Sequence, residues 1–374
     1  MTFQGRELRS TIAGNGTLTL SIEEVAISDP ADDEIIVRVE AAPINPSDLG
    51  LLLGPADLST LREVEGEGPG LLFDVPEARL KAMAARIDQS LPVGNEGAGT
   101  VVAAGKNARG LEGKLVGLLG GAMYADYRKI RAQDVTPLPA GATAADGASM
   151  FVNPLTALGF VETARREGHK AIIHSAAASN LGQMVQRICL ADGVPLINIV
   201  RSPQQVAVLQ EIGAQIVLNS RDDDFHQRLV AAISETGATV AFDPIGGGTL
   251  GAEILQAMEE AAARKMTEYS RYGSDTFKQL YIYGTLDFGP TVINRRPLGY
   301  EWSVSGWLLN FFLRKAGPEV EKRLRQRVVD ELTTTFASNY TRVIGLAEAL
   351  QPDVLRAYER KATGEKFLID PRRG

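Results

Sequence analysis

The first 150 residues of the chain carry the alternating apolar and polar positions that are typical of half-buried β-strands. Residues 17–22 alternate strictly, and residues 34–39 are rich in β-branched side chains. Glycines are then frequent between 94 and 121, among short valine-rich runs that suit tight turns. This pattern predicts a twisted, partly open β-barrel. The irregular stretch 54–91 is predicted to be an inserted loop with one helix over 77–87.

From about Asn153 the pattern changes to alternating strands and helices. After an apolar run at 171–174, apolar residues fall at the spacing of an amphipathic helix, namely at Leu181, Met184, Val185, Ile188 and Cys189. The further predicted strands are 195–200, 215–218, 239–242 and 279–283, and the further predicted helices are 206–212, 225–234 and 250–264. This alternation predicts a doubly wound parallel sheet, and hence an α/β protein. A last strand at 302–309, a helix at 318–336 and a strand at 364–369 that returns to the first domain complete the prediction.

Composition narrows the class of protein. The 374 residues are enough for two domains, and the net charge of −7 argues against a nucleic-acid or anionic-membrane partner. The single cysteine, Cys189, excludes an intrachain disulfide and a cysteine-rich zinc knuckle. The N-terminus lacks the apolar core of a signal peptide, and the longest apolar stretch near the end of the chain, 302–313, is shorter than the ~18–20 residues that span a bilayer. We therefore expect a cytoplasmic protein without a membrane partner.

A turn of small residues follows the first strand of the second half, where residues 174–182 read His-Ser-Ala-Ala-Ala-Ser-Asn-Leu-Gly. Small residues let the backbone reach a pyrophosphate, a final glycine lets the helix pack on the strand, and the helix N-terminus attracts phosphate. Gly182 holds that final position, although Ala177 and Ser179 replace the usual first two glycines. We predict a dinucleotide site here, and the alternative is a strand-turn-helix corner without a ligand. The predicted contacts are Ser175, Ala176, Ser179, Asn180, Leu181 and Gly182.

The residue after the second strand of such a sheet discriminates between the two nicotinamide cofactors. An acidic residue there bonds the ribose hydroxyls of NAD, whereas an arginine pairs with the 2′-phosphate of NADP. Here the strand is followed by Arg201 and Ser202, with no acid. The pattern favours NADPH, and the alternative is a solvated arginine at the tip of a loop.

A second glycine-rich turn, Asp-Pro-Ile-Gly-Gly-Gly at 243–248, follows the fourth strand of the predicted parallel sheet. Glycines at the carboxyl end of a parallel sheet allow a ligand to approach the backbone closely. We predict ligand contacts at Ile245 and Gly246, and the alternative is a tight turn alone.

Four segments in order along the chain resemble one known family. Residues 94–102 read Gly-Asn-Glu-Gly-Ala-Gly-Thr-Val-Val, 153–157 read Asn-Pro-Leu-Thr-Ala, 45–48 read Asn-Pro-Ser-Asp and 362–367 read Ala-Thr-Gly-Glu-Lys-Phe. Together they resemble the zinc-free quinone oxidoreductase branch of the medium-chain dehydrogenase/reductase superfamily, and the likeness covers nearly the whole chain.

The resemblance implies a fold and an assembly. It implies a GroES-like catalytic domain from residues 1–150 and 317–374, a Rossmann domain from residues 151–316, and a nicotinamide in the cleft between them. It also implies a homodimer through the last Rossmann strand, which here would run from near Ser303 to Leu309.

The resemblance also assigns residues to the nicotinamide site. It places Asn45 beside the nicotinamide ribose and Thr156 against the nicotinamide. Both residues also suit helix caps, since each lies next to or near a proline. Tyr283 and Gly284 would face the same site, and a core tyrosine is the alternative.

Zinc chemistry does not suit this chain. The zinc branch of the superfamily needs Cys and His ligands in its first domain. The first domain here has neither residue, since Cys189 and all three histidines, His169, His174 and His226, come after it. Asn45 and Asp48 lie where that branch places its first ligands. Without a Lewis acid, we expect no metal and the transfer of a hydride from NADPH to a quinone or an enone.

The proton donor and the function class stay open at this point. Enoyl-thioester reductases resemble the chain around Asn45 but carry a tyrosine shortly after it, and residues 49–56 contain none. That disfavours the alternative of a 2-enoyl-thioester reductase. Tyr124 is a candidate proton donor, with a buried packing role as its alternative. A non-catalytic NADPH-binding redox sensor is the third hypothesis, and the roles of the inserts 54–91 and 265–276 are unassigned.

Overall fold

The computed structural model describes residues 2–64, 68–362 and 364–373. The chain divides into two compact units, one formed by Met1–Val152 together with Val328–Gly374 and the other by Asn153–Arg327. The first boundary lies two residues after the predicted one. The second lies at 328 rather than 317, because the helix Pro318–Asp330 begins in one unit and ends in the other.

The strands and helices follow one another in three blocks. The first block contains β1 (Phe3–Ile12), β2 (Thr17–Ile27), β3 (Glu34–Pro43), α1 (Pro46–Leu52), β4 (Asp57–Glu63), β5 (Gly70–Asp74), α2 (Glu77–Lys81), β6 (Ser90–Pro92), β7 (Glu96–Ala104), β8 (Leu115–Leu119), β9 (Tyr127–Arg131), β10 (Val135–Pro137) and α3 (Ala144–Ala148). The second contains α4 (Val152–Arg166), β11 (Ile172–His174), α5 (Asn180–Asp192), β12 (Leu196–Val200), α6 (Pro203–Glu211), β13 (Ile216–Asn219), α7 (Phe225–Thr236), β14 (Val240–Asp243), β15 (Gly246–Gly248), α8 (Leu250–Ala263), β16 (Lys278–Ile282), β17 (Asp287–Thr291), β18 (Trp302–Gly306), α9 (Leu309–Ala316) and α10 (Pro318–Asp330). The third contains β19 (Arg342–Ile344), α11 (Pro352–Glu359) and β20 (Phe367–Ile369).

Two sheets build the first unit. One has the order β4-β5-β2-β1-β6, and the other has the order β10-β8-β7-β3-β20-β19 with β9 also paired to β3. Alternate apolar residues such as Leu18 and Leu20 are fully buried in one continuous core. The predicted return of the C-terminal strand is confirmed, because Ile369 of β20 pairs with Ala42 of β3.

The stretch 54–91 corrects one prediction. It is not a loop with one long helix, since it contains the strands β4 and β5, and β5 pairs antiparallel with β2 through Leu71 opposite Leu20. The predicted helix over 77–87 is an α-helix only at Glu77–Lys81, followed by a 3₁₀ turn at Ala84–Arg86. Short strands of this kind are stabilised by a distant partner, so their own sequence carries little periodicity.

The second unit contains the predicted doubly wound sheet, whose six strands run in the order β13-β12-β11-β14-β16-β18. All five pairings in this sheet are parallel. The predicted last strand, 302–309, is shorter than expected, because β18 ends at Gly306 and the helix α9 begins at Leu309. The predicted helix 318–336 likewise ends at Asp330 as α10. Within the described ranges, no helix is long and apolar enough to cross a membrane.

Candidate functional site

The turn between β11 and α5 has the compact shape that the sequence predicted. Ser179 is the N-cap of α5, and its hydroxyl accepts a hydrogen bond from the backbone N–H of Gly182 at 3.1 Å. Ala176 adopts the left-handed conformation with φ of +49°, which turns the chain sharply before the helix. The backbone N–H of Ala177 donates to the carbonyl of Ile199 on β12 at 3.1 Å. The turn is therefore fixed to the neighbouring strand as well as to its own helix.

Gly182 is required by the packing of α5 against this turn. A Cβ atom at this position would lie 2.2 Å from the carbonyl oxygen of Ala177, which no real side chain tolerates. This close approach is the physical reason for the last glycine of a dinucleotide turn. The N-terminus of α5 carries partial positive charge, so the backbone here suits an anionic pyrophosphate.

Asp243 connects the two predicted ligand turns, and the sequence analysis did not assign it a role. Its carboxylate is buried and accepts hydrogen bonds from the Ser175 hydroxyl, from the Ile245 backbone N–H at 3.1 Å and from the Gly246 N–H at 3.0 Å. Gly246 has a φ of +78°, and a Cβ there would lie 2.9 Å from the carbonyl oxygen of Gly284. The turns after β11, β14 and β16 therefore meet at the carboxyl edge of the sheet. An acid directly after an apolar strand was the signal that could have revealed this role.

Arg201 directly follows β12. The residue is exposed, and its guanidinium has no hydrogen bond or ion pair to any residue that the structure describes. Its backbone N–H donates to the side chain of Gln205 at 3.0 Å, while Ser202 caps α6 by accepting from the Gln205 N–H at 3.3 Å. The backbone is thus held in place while the guanidinium stays available to an anion such as a phosphate.

Tyr283 follows β16 and contacts His174, the last residue of β11. The Tyr283 hydroxyl lies 2.8 Å from Nε2 of His174, and the two rings stack with centroids 5.9 Å apart. His174 is fully buried beside Phe160, and burial lowers the pKa of its imidazole to about 3. The imidazole is therefore neutral at physiological pH. Tyr283 itself is half-buried.

The second unit thus brings together most of the predicted cofactor residues. The residues that gather at the carboxyl edge of its sheet are Ser175, Ala176, Ser179, Asn180, Leu181, Gly182, Arg201, Ser202, Ile245, Gly246, Tyr283 and Gly284. Thr156 lies in α4 of the same unit and is 8% exposed. Asn45 and Tyr124 belong to the first unit, so their predicted roles concern that unit alone.

Asn45 and Glu96 form the centre of a buried polar cluster in the first unit. Nδ2 of Asn45 donates to Oε1 of Glu96 at 2.8 Å, and both side chains are at most 2% exposed. Oε2 of Glu96 accepts from the backbone N–H groups of Phe151 and Val152, each at 2.9 Å. Oδ1 of Asn45 is buried and has no hydrogen-bond partner among the described residues. An unpaired buried acceptor of this kind is uncommon and suits a hydroxyl donor from a ligand.

Asp48 is the second buried acid of this cluster. Its carboxylate accepts from the backbone N–H groups of Asn45 and Asn95, both at 2.8 Å, which closes the first turn of α1. Burial raises the pKa of the Asp48 carboxyl to about 7, because the loss of hydration outweighs these two hydrogen bonds. Burial likewise raises the pKa of Glu96. The predicted helix start at Asn45 and Pro46 is confirmed.

Tyr124 is only 1% exposed, and its hydroxyl donates to the carbonyl of Pro43 at 3.1 Å. Burial and the nearby Asp48 carboxyl raise the pKa of the phenol well above its usual value. This geometry favours the packing role that the sequence analysis held as the alternative to proton donation.

Lys366 adds a basic group that sequence reasoning missed. Its Nζ donates to the Ser149 hydroxyl at 2.7 Å, and the same hydroxyl lies 2.8 Å from the Tyr340 hydroxyl. Burial lowers the pKa of the Lys366 amine to about 8, even though the Glu96 carboxyl acts in the opposite direction. Only the tertiary structure brings this lysine, which directly precedes β20, to Ser149, so no local pattern could have revealed it. In the parts of the chain that the structure describes, no three His, Cys, Asp or Glu side chains are grouped as around a metal ion.

Comparisons with known proteins identify the fold. The chain is similar to a candidate NADPH:quinone reductase of Mesorhizobium loti, with 25% identity, a TM-score of 0.73 and coverage of 98% of each chain. It is also similar to the Escherichia coli quinone oxidoreductase complexed with NADPH, with 20% identity, a TM-score of 0.68 and coverage of 99% of this chain and 100% of that one. The second likeness supports the fold alone. No protein-family model matches the chain.

Among curated proteins, the chain is 30% identical over 214 residues to the mitochondrial enoyl-[acyl-carrier-protein] reductase of Xenopus tropicalis. The match covers 55% of this chain and 53% of the relative, so the chain spans about half the length of the curated relative. These likenesses agree with the architecture described above, in which one unit holds a doubly wound parallel sheet and the other is β-rich and built from both chain ends. The chain therefore shares its fold with NADPH:quinone reductases of known structure.

Proposed function

We propose that this protein is an NADPH-dependent reductase that transfers a hydride to a quinone or to an activated C=C bond. The observation that carries the proposal is the exposed guanidinium of Arg201, which has no partner among the described residues and follows β12 beside a turn shaped for a dinucleotide. An unpaired, exposed arginine at this position matches the 2′-phosphate that distinguishes NADPH from NADH. The E. coli structural neighbour is a complex with NADPH.

The residues present fit such a cofactor. The backbone of 175–182 would hold the pyrophosphate, since the N-terminus of α5 carries partial positive charge there. Arg201 and Ser202 would hold the 2′-phosphate, and Ile245, Gly246, Tyr283 and Gly284 would contact the nicotinamide half. Asn45 and Thr156 are proposed as further nicotinamide contacts. When bound, the reduced cofactor supplies the hydride, and the protein supplies orientation and exclusion of water.

We propose that the reaction needs no zinc. The histidines and the cysteine of this chain all lie between residues 169 and 226, so the first unit has none of the nitrogen and sulfur ligands that a catalytic zinc uses. Reduction of an electron-poor double bond or a quinone requires no Lewis acid to stabilise an alkoxide.

The acceptor is either a quinone or enone, or an enoyl thioester. The structural neighbours include quinone reductases, while the curated relative is an enoyl-[acyl-carrier-protein] reductase. The absence of tyrosine from residues 49–56 favours the first class, which we adopt. A panel of quinones, enones and an enoyl thioester with NADPH decides among them. Binding of NADPH without turnover of any acceptor would instead support a non-catalytic redox sensor.

Replacing Arg201 by alanine tests the cofactor assignment. We expect Arg201→Ala to lose about 1.5–3 kcal/mol of NADPH affinity, the range for a hydrogen bond to a charged group. Affinity for NADH should be unchanged, because that cofactor lacks the 2′-phosphate. Both affinities are measured by fluorescence titration of the reduced nicotinamide, with Arg109→Ala as a control at an exposed arginine of the other unit. An equal loss for both cofactors, or binding of neither to the wild type, would contradict the proposal.

We also propose a homodimer formed through β18. This strand is an edge of the six-stranded sheet, and unpaired edges are templates for pairing with a second strand. Leu308 and Phe311, which follow it, are 51% and 63% exposed. Sedimentation velocity should therefore show a dimer that Phe311→Glu shifts toward the monomer. A monomeric wild type at micromolar concentration would refute this assembly.

A further inference from the structure

The pair formed by His174 and Tyr283 has an unusual hydrogen-bond balance. Nε2 of His174 bonds the Tyr283 hydroxyl, whereas Nδ1 is buried and has no partner among the residues described. The imidazole is fully buried, and Phe160 packs against both His174 and Tyr283, with ring centroids 5.9 Å and 4.7 Å away. A neutral imidazole carries one proton, and that proton resides on either Nδ1 or Nε2.

The unpaired Nδ1 decides between the two tautomers. A proton on Nδ1 would leave an orphaned N–H donor in an apolar environment, which is rare in folded proteins. A proton on Nε2 leaves only a bare lone pair at Nδ1, and it also forms the bond to Tyr283. In that tautomer His174 donates and the Tyr283 oxygen accepts. The hydroxyl proton of Tyr283 is then directed away from His174.

We propose that Tyr283 is a hydrogen-bond donor to a carbonyl oxygen of the bound ligand, and that His174 is the positioning residue that turns its hydroxyl proton toward that ligand. The position supports this role, because Tyr283 is half-buried and lies after β16 at the carboxyl edge of the sheet, where such folds bind ligands. The backbone is fixed as well, since the Tyr283 N–H donates to the Asp243 carbonyl at 3.0 Å. The inference rests on the proposed reductase function, because it names a donor within that site.

Two ligands of a reductase present such a carbonyl oxygen. One is the carboxamide of the nicotinamide, and the other is the carbonyl that activates an enone or quinone. The same donor serves either, because burial keeps Tyr283 neutral by raising the pKa of its phenol well above the usual value. Binding and kinetic measurements distinguish the cofactor carboxamide from the substrate carbonyl.

The tautomer is tested first, on the wild-type protein without any ligand. With ¹⁵N-labelled histidine, NMR distinguishes a protonated from a bare ring nitrogen, and His169→Gln and His226→Gln identify the signals of the other two histidines. We expect His174 to carry its proton on Nε2 and to stay neutral at pH 7. A proton on Nδ1, or a charged ring at pH 7, would overturn the proposal. This outcome does not depend on whether the chain binds NADPH.

The donor is tested by Tyr283→Phe, which removes the hydroxyl and keeps the ring. Loss of one neutral hydrogen bond is expected to weaken the affected step roughly 2- to 12-fold. If the cofactor carboxamide is the ligand, Tyr283→Phe weakens NADPH binding while binding of 2′-phospho-ADP-ribose, which lacks the nicotinamide, is unchanged. If the substrate carbonyl is the ligand, NADPH binding is unchanged and kcat/KM for the enone or quinone falls. Unchanged values in all three assays would overturn the proposal.

The positioning role of His174 is tested by a pair of variants. His174→Gln keeps an N–H donor close to the position of Nε2, whereas His174→Phe removes it and keeps a planar ring. We expect His174→Phe to reproduce the loss seen in Tyr283→Phe and His174→Gln to restore most of it. Equal behaviour of the two variants would contradict the positioning role. Failure of the wild type to bind NADPH would refute the proposed function instead, and the NMR result would still stand.

Discussion

Replacing Lys278 by methionine is expected to remove about 3–5 kcal/mol from the free energy of unfolding, the usual cost of breaking a buried ion pair. Lys278 is fully buried, and its Nζ donates to Oε2 of Glu259, to the Thr276 carbonyl at 2.9 Å and to the Ser274 hydroxyl at 3.3 Å. The remaining carboxylate would be left buried without its cation. Urea unfolding followed by circular dichroism measures the loss.

The carboxylate of Glu259 also binds Ser274, so we expect the effects of substituting Lys278 and Glu259 to be coupled. It accepts from the backbone N–H and from the hydroxyl of Ser274, each at 2.7 Å, and so fixes the end of the insert 265–276 to α8. Because contacting residues couple, the double variant with Glu259→Gln should lose less than the sum of the two single variants.

An exposed ion pair provides the control for this prediction. Lys81 pairs with Glu77 on α2 with both side chains largely exposed, so Lys81→Met should cost no more than about 0.5 kcal/mol. A loss from Lys278→Met that is as small as this control would mean that the buried pair does not stabilise the fold.

The second large effect is a fall in stability with rising pH that is caused by Asp48. Its pKa is raised to about 7 in the folded protein from an ordinary value of 3.8. Between these two values the folded state binds more protons than the unfolded state, so the free energy of unfolding falls as pH rises. A single group contributes a slope of at most about 1.4 kcal/mol for each pH unit.

The contribution of Asp48 is measured as a difference, because other groups act in the same range. Burial lowers the pKa of His174 from 6.5 to about 3, so this residue makes the free energy of unfolding rise with pH between those two values. Lys366, whose pKa is lowered to about 8, has the same effect only above about pH 8. The quantity to compare is therefore the unfolding free energy of the wild type minus that of Asp48→Asn, from pH 4 to pH 7. We expect this difference to decrease steadily over that range. A difference that is constant with pH would show that Asp48 titrates near its ordinary pKa.

The sequence by itself determined the parts of this protein that depend on local patterns. The alternation of strands and helices from 171 to 283 predicts the parallel sheet, because each element has its own periodicity within a few residues. The turn 174–182 and Arg201 are equally local, since a glycine, a cap and a charge act on their immediate neighbours. For that reason the parallel sheet was predictable without coordinates, and the same local patterns are the basis of the proposed cofactor contacts.

Only the tertiary structure decided which distant residues meet. Asn45 and Glu96 are 51 positions apart, and His174 and Tyr283 are 109 positions apart, yet each pair shares a hydrogen bond. The strand β5 was missed for the same reason, because its partner β2 lies in a distant part of the sequence. A side chain's charge, proton position and pKa depend on what surrounds it in space. The composition of a single segment does not contain that information.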